Sequence, residues 1–410
     1  MADILLDLGS LYVSDFLADP DVEYEGRELA PLTLILDEKK GALRLTQAVD
    51  PDKMYGTYWY RSGTNASMTN QLKEIAEEAA SRVKYSSGDV WLDIACNDGT
   101  MFNFIPDEFT KVGIDPVEDS FLEFSSQLAD SVVQDYFSLR AYQRTGHGDK
   151  KCKVITTIAM FYDIDDPAPF IEDVKEVLED DGIWVLQMSY TPLMVKQMAF
   201  DNICHEHVYY YSLASIKQLM EAHGLKIMDC SLNDTNGGSF RVYVQKEGAK
   251  ETSFGTTPLR DVCAFRVESL LAYEKAHMDI SDPAVWKEFS QKLESMKEQT
   301  VSFIRAEVAK GKKVYGYGAS TKGNTLLQYY GLTTEDIIAI AERSPQKFGK
   351  YVVGTNIPIV SEKEMRADKP DYLLVLPWHF IKEFVEREEE FLEGGGKFIV
   401  PCPEFEIIGK

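Results

Sequence analysis

From Ser81 onward, short apolar runs that stop at turn residues alternate with longer amphipathic stretches. Val90-Trp91-Leu92-Asp93-Ile94, Lys111-Val112-Gly113-Ile114-Asp115, Lys153-Val154-Ile155-Thr156-Thr157 and Gly182-Ile183-Trp184-Val185-Leu186 read as strands, and the stretches between them as crossover helices. Strands and helices in alternation predict a parallel sheet covered on both faces. Leu225–Asp229 and Ser239–Val244, separated by the turn signal Asn236-Gly237-Gly238, are expected to close that sheet with antiparallel strands. Residues 258–310 look helical throughout, with Trp286, Phe289, Leu293, Met296, Val301 and Ile304 at three- to five-residue spacing. A second strand, Gly-turn and helix begins at Lys313-Val314-Tyr315-Gly316-Tyr317-Gly318. Ile337–Ala341, Tyr372–Leu376 and Lys397–Val400 follow at α/β spacing. Near the start, Leu32–Leu36 and Ala42–Leu45 are strand-like. The expected organisation is α/β: a small N-terminal β module (1–68), a central Rossmann-like domain (69–248), and a helical bridge with a second Rossmann-like domain (249–410).

Composition narrows the partners. In 410 residues, 43 Lys and Arg stand against 67 Asp and Glu, a net charge of −24. That field opposes nucleic acid and anionic membrane surfaces, yet leaves room for an anionic small molecule in a locally positive pocket. No stretch has the length of a membrane helix and the first residues lack a basic segment, so a cytoplasmic protein is expected. The six cysteines (96, 152, 204, 230, 263 and 402) form no CxxC pair and read as reduced, buried thiols.

Two segments carry candidate chemistry. Asp93-Ile94-Ala95-Cys96-Asn97-Asp98-Gly99-Thr100 follows the first strand, where open α/β sheets place ligands. Asp115 ends the next strand 22 residues after Asp93, where a carboxylate can accept both hydroxyls of a ribose. The loop departs from GxGxxG, which favours S-adenosylmethionine over a dinucleotide. Asp93, Asn97, Asp98, Gly99 and Asp115 are the candidate cofactor residues, with Asp135 placed to reach an adenine amino group. The second segment is Cys204-His205-Glu206-His207 and the tyrosines after it. Extended, it puts His205 and His207 on one face; helical, it fans the three apart. A general base for a carbon-bound proton beside a carbonyl is the sharper reading. A metal pair lacks an evident third ligand, and a hydrogen-bonded structural histidine is the plain alternative.

The ordered set Tyr58-Trp59-Tyr60-Arg61-Ser62-Gly63, Asp93 to Thr100, Gly113-Ile114-Asp115-Pro116, His205-Glu206-His207, Asn236-Gly237-Gly238-Ser239-Phe240-Arg241 and Gly316-Tyr317-Gly318-Ala319-Ser320-Thr321-Lys322-Gly323-Asn324-Thr325 resembles the S-adenosylmethionine-dependent C-methyltransferases of nucleotide-linked 4-keto deoxysugars, typified by the tetronitrose C-methyltransferase. The resemblance implies a class I methyltransferase domain in the centre and a C-terminal domain that helps enclose a nucleotide sugar. It also implies His207 as the base that enolises the ketone, Glu206 as its orienting group and Tyr60 as a hydrogen-bond donor to the substrate. Gly316, Gly318 and Lys322 look like an anion cradle for the diphosphate, with His205 also on the substrate side. The chain departs from the family where zinc-binding cysteines would stand: none precedes Cys96, so no metal is expected. Cys204 replaces a family tyrosine, and Ala159–Asp163 lacks a histidine that some members carry. The rival readings are a nicotinamide-dependent oxidoreductase using the Gly316-x-Gly318 turn with Glu342, a methyltransferase acting on oxygen or nitrogen, and a non-catalytic two-lobed binding protein. The oligomeric state is not legible.

Overall fold

The computed structural model describes residues 3–19, 27–50, 54, 60–64, 66–249 and 257–409. Tyr58 and Trp59 of the aromatic motif lie outside them. The N-terminal region contributes β1 (Ile4–Tyr12), β2 (Phe16–Leu17), β3 (Leu29–Asp37) and β4 (Ala42–Leu45). Strands β1, β3 and β4 form an antiparallel sheet whose inward positions are leucines, among them Leu6, Leu8, Leu32, Leu34, Leu43 and Leu45.

The central sheet is built from β5 (Val90–Ile94), β6 (Thr110–Ile114), β7 (Ser131–Val133), β8 (Cys152–Ile158), β9 (Leu178–Ser189), β11 (Leu225–Asn233) and β12 (Ser239–Lys246), in the order β11-β12-β9-β8-β5-β6-β7. All neighbours are parallel except those made by β12, which runs antiparallel to both β9 and β11. This is the strand order of class I methyltransferases. Every residue of β5 is buried, as a strand with helices on both faces requires.

A two-residue strand, β10 (Tyr209–Tyr210), leaves the central domain just after His207 and pairs with β4. The edge of the N-terminal sheet is thereby completed by the segment that carries the histidines. The N-terminal region is also tied to the far end of the chain: β2 pairs with β15 (Tyr351–Val352), and the leucine face of the small sheet shares one core with the C-terminal domain.

The C-terminal sheet comprises β13 (Val314–Tyr317), β14 (Ile340–Glu342), β16 (Ile359–Ser361), β17 (Tyr372–Val375), β18 (Lys397–Val400) and β19 (Glu406–Ile408), ordered β16-β14-β13-β17-β18-β19 with only the last pair antiparallel. Each doubly wound sheet reverses its strand order once, at β5/β8 and at β13/β17, and these two crevices are where such folds bind ligands.

The stretch expected to be one helix is two. Of the helices used below, α1 is Ala66–Ser81, α2 is Thr257–His277, α3 is Pro283–Val308 and α4 is Thr321–Tyr330. The break falls at Asp282-Pro283, where the Asp282 side chain accepts the Ala284 N–H at 2.8 Å and Pro283 starts the new helix. Helix α2 packs on β11 of the central sheet, whereas Trp286, Phe289, Leu293, Met296 and Ile304 of α3 are buried in the core shared by the N- and C-terminal sheets.

Candidate functional site

At the carboxyl ends of β5, β6 and β8 lies a cavity of about 700 Å³, lined among others by Asp93, Ala95, Cys96, Asn97, Asp115, Ala159, Asp163 and Tyr60. Its turns are strained: Ala95, Asn97 and Ala159 hold φ of 61°, 53° and 55°, the left-handed region that side chains avoid. Asp93 is buried in β5 and accepts the Thr156 hydroxyl at 2.6 Å. Burial pushes its carboxyl up to about 7, with Asp115 adding in the same direction. Asp115 accepts the Asn97 N–H at 2.7 Å and the Val117 N–H at 3.0 Å, one on each oxygen. Each oxygen retains acceptor capacity.

Asp98 and Gly99 have other duties. Asp98 is not among the cavity-lining residues; its carboxylate accepts the Gly63 N–H at 2.9 Å and the Thr100 hydroxyl at 2.6 Å. Gly99, at φ 74°, lets the chain pass Ser125, whose Cα would stand 2.7 Å from an added Cβ. Asn97 accepts the Ser62 N–H at 3.0 Å and donates to the Tyr60 carbonyl at 3.1 Å. Arg61 donates to the Ser120 carbonyl at 2.9 Å and lies over the rings of Phe121 and Phe124. Residues 60–63 thus form a strap fastened across the cavity mouth, with Tyr60 lining it. Loss of hydration and the nearby Asp98 carboxylate hold the Tyr60 hydroxyl above the usual phenol range, so it stays a donor. Asp135 is not brought to the cavity: it pairs with Arg144, and the following Tyr136, Phe137 and Ser138 line the wall instead.

The histidine segment is neither extended nor helical. A tight turn closes with His207 N–H donating to the Cys204 carbonyl at 3.2 Å, and it sends the two imidazoles apart. His205, 3% exposed, has its Nε2 3.0 Å from the Ala30 carbonyl of the N-terminal sheet. His207 has Nδ1 2.7 Å from the Asn202 carbonyl, which requires the proton on Nδ1 and leaves Nε2 as an acceptor. The Tyr162 ring lies 4.2 Å away between centroids. Burial and the Lys322 charge lower His207 to about 3, keeping it neutral. Burial raises Glu206 to about 7 against the opposing pull of Lys322.

Lys322 is the meeting point of the two halves. It rises from the first turn of α4 and donates to the Asn202 side chain. Its charge is felt by Asp201, Cys204, Glu206 and His207 of the central domain and by His379 beyond β17. Gly318 and Pro377 form the two lips of the second crevice, an added Cβ on the glycine falling 2.7 Å from the proline ring. Gly316 serves packing: its Cβ would meet Ile340 at 2.8 Å. Trp378 donates to Asp201 at 3.1 Å and approaches Gly237 of the Asn236-Gly237-Gly238 turn. Asn202, Tyr162, Trp378 and His379 escaped the sequence reading. For the last two the available signal was their position after the fourth strand of a doubly wound domain.

Glu342, the acid of the oxidoreductase reading, accepts the N–H groups of Ala319, Arg343 and Ser344 at 2.8, 2.7 and 2.9 Å. Among the described residues no helix is long and apolar enough to cross a membrane.

Several known proteins are similar to this chain. The family described as "Methyltransferase domain" matches residues 65–229, and the "C-methyltransferase C-terminal domain" matches residues 234–403. The C-methyltransferase NovU of Streptomyces niveus is 28% identical over 406 residues, covering 98% of this chain and 94% of the relative. Among solved structures, the plantazolicin methyltransferase BpumL in complex with SAH superposes with a TM-score of 0.37 at 11% identity over 45% of this chain and 87% of that one. An S-adenosylmethionine-dependent methyltransferase from Clostridium acetobutylicum gives 0.33 at 13% identity over 44% of this chain and 92% of that one. The two family domains follow one another from residue 65 to residue 403 and the relative is matched from end to end, so the chain is similar along its length to a C-methyltransferase and is an S-adenosylmethionine-dependent methyltransferase.

Proposed function

We propose that the enzyme methylates the carbon beside the ketone of a nucleotide-linked keto-deoxysugar, with His207 as the base. The observation that carries this reading is the tautomer of His207: a buried imidazole whose Nδ1–H is committed to a backbone carbonyl presents a bare Nε2, within reach of the Lys322 charge from the C-terminal domain. The cavity suits the methyl donor, because Asp115 offers acceptors for a ribose and the strained turn at Ala95–Asn97 curves around the space. When bound, S-adenosylmethionine supplies an electrophilic methyl group that a carbon nucleophile can take up. Nε2 of His207 removes the proton from the carbon next to the ketone, and Glu206, ionised above about pH 7, orients the imidazole and steadies the imidazolium. Tyr60 donates to the substrate from the strap. Lys322, at the N-terminus of α4, receives the substrate diphosphate, which takes it from Asn202. Fastening the strap and docking the C-terminal domain exclude water from the space between.

The test is a screen of nucleoside-diphosphate 4-keto-6-deoxyhexoses with methyl-13C-labelled S-adenosylmethionine, read by carbon–proton correlation spectra. The proposal predicts a methyl signal attached to carbon. A methyl on oxygen or nitrogen, or none with any keto sugar, would reject it.

A further inference from the structure

The turn that separates His205 from His207 brings together a different set. One ligand atom each of Cys204, Glu206 and His207 lie within 4.8 Å of one another, the one such trio among the described residues. We propose that Cys204, Glu206 and His207 form a site for a thiophilic divalent cation, Zn2+ in the first instance, and that the ion inhibits the enzyme by occupying the lone pair of its base.

Charge, geometry and neighbours support the site. A thiolate, a carboxylate and a neutral imidazole around a doubly charged ion sum to zero, the state that a buried pocket tolerates best. Binding displaces the Cys204 thiol proton to solvent and, below about pH 7, the Glu206 carboxyl proton with it. Two protein ligands on one tetrahedral zinc stand about 3.5 Å apart, so the trio must contract by about 1 Å, within reach of side-chain rotation. The His207 Nδ1–H donated to the Asn202 carbonyl is the outer hydrogen bond that metal-binding histidines use to fix the tautomer and aim Nε2. Three ligands leave a fourth position open, as in zinc sites that exchange water. The neighbouring Lys322 ammonium opposes a cation here, so the enzyme's own lysine sets the ion's affinity. This goes beyond methyl transfer, though the inhibitory half rests on His207 being the base.

Cd2+ reports on the site directly, because Cd2+–thiolate bonding gives an ultraviolet charge-transfer band that does not depend on turnover. The wild-type protein is expected to show a saturable band at one ion per chain, displaced by Zn2+. Cys204→Ser should abolish it and Glu206→Gln should weaken it about 10- to 100-fold, while both still bind S-adenosylhomocysteine, which shows that they fold. Lys322→Met should tighten the ion. The other five cysteines belong to no such group of three ligand atoms among the described residues, so they give no competing band in the folded protein. No band in the wild-type chain, or one that survives Cys204→Ser, overturns the site. A filled site with undiminished methyl transfer overturns inhibition and with it the role of His207 as base, while leaving the ligands in place.

Discussion

Asp115→Ala tests the cofactor half of the site. Asp115 is 3% exposed, and its two oxygens hold the turn amides of Asn97 and Val117 at 2.7 and 3.0 Å. Each oxygen has one further acceptor position, and two ribose hydroxyls would fill them. A hydrogen bond to a charged acceptor is worth about 1.5–3 kcal/mol, so losing two costs about 3–6 kcal/mol of binding. At about 1.4 kcal/mol per tenfold, the dissociation constant for S-adenosylmethionine and its demethylated product rises at least about 100-fold. The same substitution leaves two amides unpaired, costing about 1–3 kcal/mol each in fold stability, which a urea titration reads separately. Calorimetric titration with both ligands is the assay. A folded Asp115→Ala that binds within about threefold of wild type, a difference below about 1 kcal/mol, would refute the ribose assignment.

Four further outcomes follow. Because Glu206 is raised to about 7, kcat should fall as pH drops through about 7, and this limb should disappear in Glu206→Gln; a limb that persists there belongs to another group. An acid with a raised folded value stabilises the fold most below its ordinary value of 4.5, so its contribution fades as pH rises through about 7, and Glu206→Gln should flatten that slope of the urea midpoint. Gly99→Ala combines a left-handed φ, about 1–2 kcal/mol, with a Cβ 2.7 Å from the Ser125 backbone, about 1–3 kcal/mol more; a urea midpoint equal to wild type would contradict the close approach. Asp98→Ala releases the strap at Gly63 and should raise KM for S-adenosylmethionine about tenfold, at a cost in stability of about 1–3 kcal/mol for the buried Thr100 groups it leaves unpaired, whereas an unchanged KM would show that the strap is held elsewhere.

Much of the scaffold was legible because strands buried on both faces announce themselves as short apolar runs, and β5, β6, β8 and β9 fall where Val90–Ile94, Lys111–Asp115, Lys153–Thr157 and Gly182–Leu186 were read. The helix break at Asp282-Pro283 has a cap-and-proline signal in the sequence, but the apolar spacing C-terminal to it resembles the continuation of one helix. Other features have no local signature. Two residues of β10 have no periodicity, and their pairing with β4 across some 165 residues of chain is decided by packing. The direction of His205 likewise depends on a turn whose partner, Ala30, belongs to another sheet. Asp135 followed the strand-end rule correctly, but Arg144 lies nine residues on and captures it. Lys322 was singled out for its helix N-terminus; that it would stand over the His207 turn needed the docking of two domains.

The central claim is that His207 takes a proton from carbon. The direct measurement is hydrogen exchange in deuterated water, with the enzyme, S-adenosylhomocysteine and a nucleotide-linked 4-keto-6-deoxyhexose, followed by proton spectra of the ketone-adjacent position. The account predicts exchange by the wild-type enzyme and its loss by a factor of about 100 or more in His207→Asn, with S-adenosylhomocysteine binding unchanged. Exchange at the wild-type rate in His207→Asn would contradict it.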